Sequence, residues 1–96
     1  MSERGMAMQA VIAVSGKDSV GIIADVSMEC KRHDVNIIDV SQTVLQDYFA
    51  MIMLVDLKSI TSSFADFADD MKKLGESKGL TIHTMHEDIF NSMHKI

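Results

Sequence analysis

The chain has 96 residues, of which 47% are hydrophobic and 24% are charged, as is typical of one globular domain in water. Its formal net charge of −5 argues against nucleic-acid binding, because phosphate backbones are held mainly by clustered lysines and arginines. The sequence has no apolar run long enough to span a bilayer, and residues 1–8 lack the apolar core of a signal peptide. We therefore expect a cytoplasmic protein that binds neither a membrane nor a nucleic acid and needs no cofactor.

The first third of the chain predicts a strand, a loop and a helix. Met8–Ser15 alternates like a mostly apolar strand, and Gly16–Gly21 breaks that pattern. From Val20 to His33 the period is helical, and the face expected to pack on the core consists of Ile23, Val26, Ser27 and Cys30. Asp18 or Ser19 is placed to cap the first turn of this helix.

The remainder predicts a hairpin, a second helix and a last strand. Val35–Leu45 and Tyr48–Leu57 form the hairpin, with Gln46-Asp47 as the turn. Thr61–Lys78 has the helical period, with a capping pattern at Ser63 and Asp66 and a stop at Gly79. Leu80–Met85 is the last strand, and it is followed by a short amphipathic segment, His86–Ile96.

This βαββαβ order predicts an α+β ferredoxin-like sandwich, in which two helices cover one face of a four-stranded antiparallel sheet. A short C-terminal helical segment is added to it. We expect residues 1–6 to be disordered or loosely ordered and residues 7–96 to form a single domain.

The strand at 48–57 is apolar on both sides. Phe49, Met51, Met53 and Val55 alternate with Ala50, Ile52 and Leu54, so one set packs under the helices and the other faces outward. An exposed apolar face of this kind marks an interface. A homodimer is the favoured cover, and the C-terminal segment folded over the sheet is the alternative.

The loop Gly16–Gly21 is the segment best suited to bind a small molecule. It leads into a helix N-terminus, whose N–H groups attract a carboxylate, and Asp18 can accept from an ammonium group. Asn36, at the start of the second strand, offers both a donor and an acceptor. On spacing alone, however, two glycines and a capping Asp are more often simple turn residues.

Other candidate groups favour structural roles. Cys30, the single cysteine, is expected to be a small buried hydrophobe, and Asp69-Asp70 a solvated helix surface. His83 and His86, with Glu87, Asp88 and His94 beyond them, suggest a metal site, but residues three apart on a strand point to opposite faces. We therefore predict no metal site and no catalytic residues.

One set of segments strongly resembles the ACT domain. These are Gly16-x-Asp18-x-x-Gly21, Val35-Asn36-Ile37-Ile38-Asp39-Val40-Ser41-Gln42-Thr43 and Tyr48-Phe49-Ala50-Met51. The resemblance spans about 7–96 and is nearest to small single-domain prokaryotic members, akin to the ACT halves of glycine-cleavage transcriptional regulators. It implies the ferredoxin-like fold and an amino-acid ligand bound between the first loop of one subunit and its neighbour. The implied ligand-binding residues are Gly16, Asp18, Ser19, Val20, Gly21, Ile22 and Asn36, of which Ser19, Val20 and Ile22 supply backbone.

The loop departs from the serine-binding members of that family. Those members typically have a polar side chain at the position of Gly16 and an Asn at that of Asp18, which weighs against serine as the ligand. The family's common Pro at the position of Val20 is also missing, which loosens the loop without altering its plan. The resulting prediction is a regulatory, non-enzymatic homodimer that senses an amino acid or related small molecule and signals to a partner enzyme or regulator. The alternative is a dimerisation module that senses no ligand.

Overall fold

A computed structural model describes residues 8–17 and 20–93, apart from the side chain of Leu45. The expected loose segment 1–6, the end of the C-terminal segment and the loop residues Asp18 and Ser19 lie outside the described residues. The strands are β1 Gln9–Gly16, β2 Asn36–Leu45, β3 Tyr48–Asp56 and β4 Thr81–His86. The helices are α1 Ile22–Arg32, α2 Phe64–Lys78 and α3 Glu87–Met93. The predicted element order and the added C-terminal helix are therefore confirmed.

The four strands form one antiparallel sheet in the order β2-β3-β1-β4, which is the ferredoxin-like arrangement. At one end of the sheet, Gly16 of β1 pairs with Phe49 of β3. At the other end, Gln9 of β1 and Asn36 of β2 both pair with Asp56 of β3. These two pairings fix which loops lie at which end, and so determine where a binding site can form.

The core lies between the sheet and helices α1 and α2. On β3, Phe49, Met51, Met53 and Val55 are at most 3% exposed, whereas Ile52 on the outward side is 37% exposed. The predicted alternation of this strand is confirmed. Fully burying such a side chain stabilises the fold by about 1.5–3 kcal/mol, so the inward face of β3 is a major contributor to stability.

Helix α1 packs in a different register from the predicted one. Ile22, Val26 and Cys30 are its buried residues, and Ile23, expected in the core, is 40% exposed. The prediction for Ile23 was wrong because the buried stripe runs through positions 22, 26 and 30, and Ile23 lies at the edge of that stripe. Ile22 and Ile23 are adjacent and both apolar, so the sequence allows either one to enter the core. Only the packing of the helix on the sheet selects between them.

Helix α2 begins and ends with the caps that the sequence predicts. The Ser63 hydroxyl oxygen accepts a hydrogen bond from the Asp66 N–H at 3.0 Å, which satisfies one N–H of the first turn. At the other end Gly79 is left-handed, with φ of 72°. Its N–H and that of Leu80 donate to the carbonyls of Glu76 and Gly75, as in a Schellman motif.

Helix α1 ends with the same motif, but with Asp34 where α2 has glycine. Asp34 has φ of 59°. Its N–H donates to the Lys31 carbonyl at 3.0 Å, and the Val35 N–H donates to the Cys30 carbonyl at 2.8 Å. Asp tolerates this left-handed conformation better than most residues, but at a greater conformational cost than glycine.

Candidate ligand site

The loop after β1 begins where Gly16 packs closely against Leu80, the residue just before β4. A Cβ added to Gly16 would overlap the side chain of Leu80, which is itself 8% exposed. A side chain at position 16 would therefore require the end of the Leu80 side chain to move. This close packing exists without any ligand, so Gly16 has a structural role whether or not it also borders a binding site.

Gly21 is the residue of the loop whose geometry fits a ligand-binding role. It is the N-cap of α1, with φ of 74° and ψ of 1°, and its carbonyl accepts from the Asp25 N–H at 3.0 Å. A Cβ added there would meet no heavy atom within 4 Å among the described residues. The start of α1 is thus open on this side, and helix N-termini attract anionic groups such as carboxylates.

The two neighbours of Gly21 differ in how much of each residue is exposed. Val20 is 88% exposed, whereas the side chain of Ile22 is buried in the core at 2% exposure. Ile22 can therefore offer a ligand only its backbone, as the predicted role requires. The predicted ligand contacts of Asp18 and Ser19 lie outside the described residues and stay predictions. The prediction that one of them caps α1 was wrong, because the N-cap is Gly21 and no side chain of the described residues caps the helix.

Asn36 lies at the opposite end of the sheet from Gly16. The two are separated by the seven-residue step from Phe49 to Asp56 along β3, or about 23 Å at the usual rise of a strand. One protomer therefore does not bring Asn36 to the Gly16–Gly21 loop. A site that uses both must combine the loop of one copy with Asn36 of another.

Asn36 borders an open cleft of about 470 Å³ between the end of α1 and the start of β2. The lining residues are Ser27, Cys30, Lys31, Asp34, Val35, Asn36, Ile37 and Ser59. Lys31 and Asp34 supply opposite charges at its rim. The sequence predicted Asn36 as a contact but gave no sign of this cleft, because its walls are brought together by the fold.

Strand β2 forms an open edge of the sheet. Among the described residues it pairs with β3 alone, and it runs for ten residues with Asp39 as its one charged side chain. Ile38, Val40 and Val44 are 45%, 36% and 66% exposed. A long, apolar and nearly uncharged edge strand is suited to pair with another strand.

The outward face of the sheet is open over part of its area. Ile52 on β3 and Tyr48 at its start are 37% and 57% exposed. On the same face Val11 of β1 is 3% exposed, and α3 contacts β1 and β4. The C-terminal helix therefore lies at the β1–β4 side, and the β2–β3 side carries the exposed apolar residues.

The described residues that resembled catalytic or metal-binding groups have structural surroundings. Cys30 is buried, and desolvation together with the charge of Glu29 raises its pKa from 9.0 to about 12, so the thiol stays protonated and unreactive. His83 and His86 pair with Ala13 and Ala10, so they face opposite sides of the sheet as predicted. The ring of His86 stacks on Phe64 with centroids 4.0 Å apart. His94 lies outside the described residues.

The prediction for Asp70 was wrong. Asp70 was expected to be a solvated surface residue, but its carboxylate lies 2.9 Å from the ring Nε2 of His33, a buried residue at the end of α1. Glu29 completes the group at 3.5 Å from the same nitrogen. The residues come from two helices far apart in sequence, so no local pattern could have identified this cluster.

The four-stranded antiparallel sheet and its helices define a small ferredoxin-like α+β domain, and comparison with known families gives the family to which it belongs. The ACT domain family model matches residues 8–85, and the chain belongs to that family. Within it, the chain is 44% identical over 89 residues to the UPF0237 protein lin0537 of Listeria innocua serovar 6a, covering 93% of this chain and all of that protein. The UPF0237 protein MK1213 of Methanopyrus kandleri is 42% identical over 88 residues, covering 92% and 98% of the two chains.

Solved structures agree with this assignment. An ACT domain protein from Streptococcus pneumoniae superposes with a TM-score of 0.75 at 36% identity, covering 88% of this chain and 94% of that one. A putative glycine cleavage system transcriptional repressor has a TM-score of 0.67 at 21% identity, covering 84% of this chain and 46% of the other. The second likeness shows the shared fold alone.

Within the part of the chain that the structure describes, no helix is long and apolar enough to cross a membrane.

Proposed function

We propose that this protein is a cytoplasmic, non-enzymatic sensor that binds an amino acid or a related small molecule between two copies of the chain and signals to a partner protein. The observation that carries the proposal is the geometry of Gly21. Its left-handed backbone opens the start of α1 toward the surface, with no heavy atom of the described residues within 4 Å of the position a Cβ would take. A ligand carboxylate can approach the helix N-terminus there.

Pairing of two copies through β2 supplies the rest of the proposed site. Two β2 strands that pair about a twofold axis perpendicular to them run antiparallel, so Asn36 of one copy lies toward the end of β2 in the other. The end of β2 lies at the same end of the sheet as Gly16, because Gly16 of β1 and Val44 of β2 both pair with Phe49 of β3. The dimer thus brings together the two groups that one protomer keeps about 23 Å apart.

The ligand transmits a signal in this arrangement by favouring the paired state. Because the proposed site is complete only between two copies, ligand binding and dimerisation stabilise each other by the same free energy. A partner that recognises the dimer, or the surface that the ligand orders, then responds to ligand concentration. Any partner enzyme or regulator would be controlled in this way without a catalytic group in the sensor itself.

The test is a thermal-shift screen of the purified protein against the common amino acids, with the mass in solution measured by light scattering. A ligand at a hundred times its dissociation constant stabilises by about 2.7 kcal/mol, which raises the midpoint by on the order of ten degrees. We expect one amino acid or a small group of them to give such a shift and to favour the dimer. A screen without any selective shift would refute ligand sensing.

A ligand-free dimerisation module is the second candidate, and the exposed apolar residues of β2 support it. Val44, Val40 and Ile38 would be covered by pairing whether or not a ligand is present. A dimer that persists in the absence of ligand, combined with a flat screen, would favour this function. Val44→Lys then separates the interface from the rest of the fold, because it places a charge on the exposed edge without disturbing the buried core.

A further inference from the structure

A compact group of polar side chains joins α1 to α2 on the side away from the proposed ligand loop. The His33 ring lies between Asp70, with Nε2 to Oδ2 of 2.9 Å, and Glu29, with Nε2 to Oε2 of 3.5 Å. Its other nitrogen, Nδ1, is 2.5 Å from the Ser62 hydroxyl oxygen. The imidazole is nearly buried, with 8% of its side chain exposed.

The Ser62 hydroxyl lies against Nδ1 of the buried ring and also within 3.3 Å of the Ser63 carbonyl oxygen. When the hydroxyl donates to that carbonyl, its oxygen accepts from an N–H on Nδ1 of His33, which is the tautomer that a metal ligand bound through Nε2 requires. In the neutral ring this leaves a lone pair on Nε2, directed at two carboxylates that are themselves acceptors. A cation placed among the three groups would accept this lone pair together with lone pairs from both carboxylates, whereas without a cation the other tautomer donates Nε2–H to Asp70.

The charges around the ring also favour a cation. Glu29 and Asp70 contribute two negative charges, and the Arg32 guanidinium offsets one of them, at 2.7 Å from Glu29 and 4.0 Å from Asp70. The C-terminal end of α1 adds a partial negative charge beside His33. Two carboxylates thus face one guanidinium beside a nearly buried imidazole, an arrangement that favours a bound cation.

We propose that Glu29, His33 and Asp70 form a binding site for a divalent transition-metal ion, and that Zn²⁺ fits it best. One imidazole nitrogen and two carboxylates are ligands that Zn²⁺ accepts, with a fourth position left for water. The three candidate ligand atoms lie within 4.8 Å of one another. Around a tetrahedral zinc ion such atoms are about 3.4 Å apart, so small side-chain rotations bring them into place.

Two surrounding features support metal binding. Ser62 holds Nδ1 and fixes the orientation of the ring, as the outer partners of metal-bound histidines commonly do. Arg32 has 61% of its side chain exposed, so it can turn away into solvent when a metal replaces it beside Glu29. A metal bound here would tie α1 to α2 and stabilise the native state independently of any ligand at the loop.

The experiment uses the full chain without an affinity tag, titrated with Zn²⁺ by calorimetry and in thermal shift, with Mg²⁺ as the contrasting ion. We expect saturation at one Zn²⁺ per chain and a higher melting temperature. Asp70→Asn, which keeps the shape of the side chain and removes its charge, should weaken Zn²⁺ binding at least tenfold. His33→Gln should do the same, whereas the matched control His83→Gln, an exposed histidine on β4, should bind as the wild type does.

Cobalt gives a second readout that a purely structural ion pair would not produce. Co²⁺ bound at this site should show visible absorption bands of a four- or five-coordinate ion, and Asp70→Asn should remove them. The proposal is overturned by the lack of saturable Zn²⁺ binding, or by binding that is unchanged in Asp70→Asn. Loss of binding in His83→Gln would also overturn it, since that would place the ion on β4.

Discussion

Replacing Gly21 with alanine tests the proposed ligand site with little risk to the fold. At φ of 74° an L-residue costs about 1–2 kcal/mol, and the reduced freedom of the unfolded alanine chain returns about 0.4–1 kcal/mol. We therefore expect Gly21→Ala to lower the free energy of unfolding by about 1 kcal/mol, or by about 4–8 °C in the melting temperature. No described heavy atom lies within 4 Å of the new methyl group, so packing adds no further cost.

The effect on ligand binding should be far larger than the effect on stability. The methyl group projects at the start of α1, where a ligand must approach the backbone closely, so the shift of about 2.7 kcal/mol at a hundred times the dissociation constant should disappear. The assay is thermal shift followed by calorimetry, using the amino acid that gives the largest shift with the wild-type protein.

Gly79→Ala is the matched control for backbone strain. Gly79 has φ of 72°, and a Cβ there also meets no described atom within 4 Å. Both variants should therefore melt at similarly lowered temperatures, while only Gly21→Ala loses the response to ligand. A wild-type response in Gly21→Ala, or an equal loss in Gly79→Ala, would refute the assignment of Gly21 to the site.

Three further predictions concern the described core and helix ends. Because the pKa of Cys30 is raised from 9.0 to about 12, the folded state keeps a proton that the unfolded state loses. The resulting stability is present below pH 9 and lost toward pH 12, and denaturant titrations should show that Cys30→Ala removes this part of the decline. Asp34→Gly should raise the free energy of unfolding by up to about 1 kcal/mol, measured in urea, because glycine adopts a φ of 59° without strain. A lower free energy of unfolding in this variant would contradict the prediction. Ser63→Ala should lower it by about 1 kcal/mol, since the Asp66 N–H loses its acceptor, and Ser77→Ala, an exposed hydroxyl later in the same helix, should have a smaller effect.

The parts of the fold that were predictable from sequence depend on local physical rules. The two-residue period of β3 was visible in Phe49, Met51 and Met53, and each of these side chains is buried. The ends of α2 follow from Ser63 and Gly79, whose side-chain and backbone chemistry act within one turn. These rules need no knowledge of distant residues.

The parts that were not predictable depend on contacts across the fold. Which of Ile22 and Ile23 enters the core is decided by how α1 is rotated about its axis when it packs on the sheet. His33 and Asp70 are 37 positions apart in sequence, and only the packing of α1 on α2 brings them together. The role of Gly16 was likewise hidden, because its close neighbour, Leu80, arrives from the far end of the chain.

The placement of Gly21 and Asn36 at opposite ends of one sheet has a genetic consequence. If each site is composed of the loop of one copy and Asn36 of its twin, then a loop-defective chain and an Asn36-defective chain fail for different reasons. A mixed dimer of the two carries one site with both defects and one site with none. Co-expression of two inactive alleles should therefore restore part of the response that neither allele supports alone.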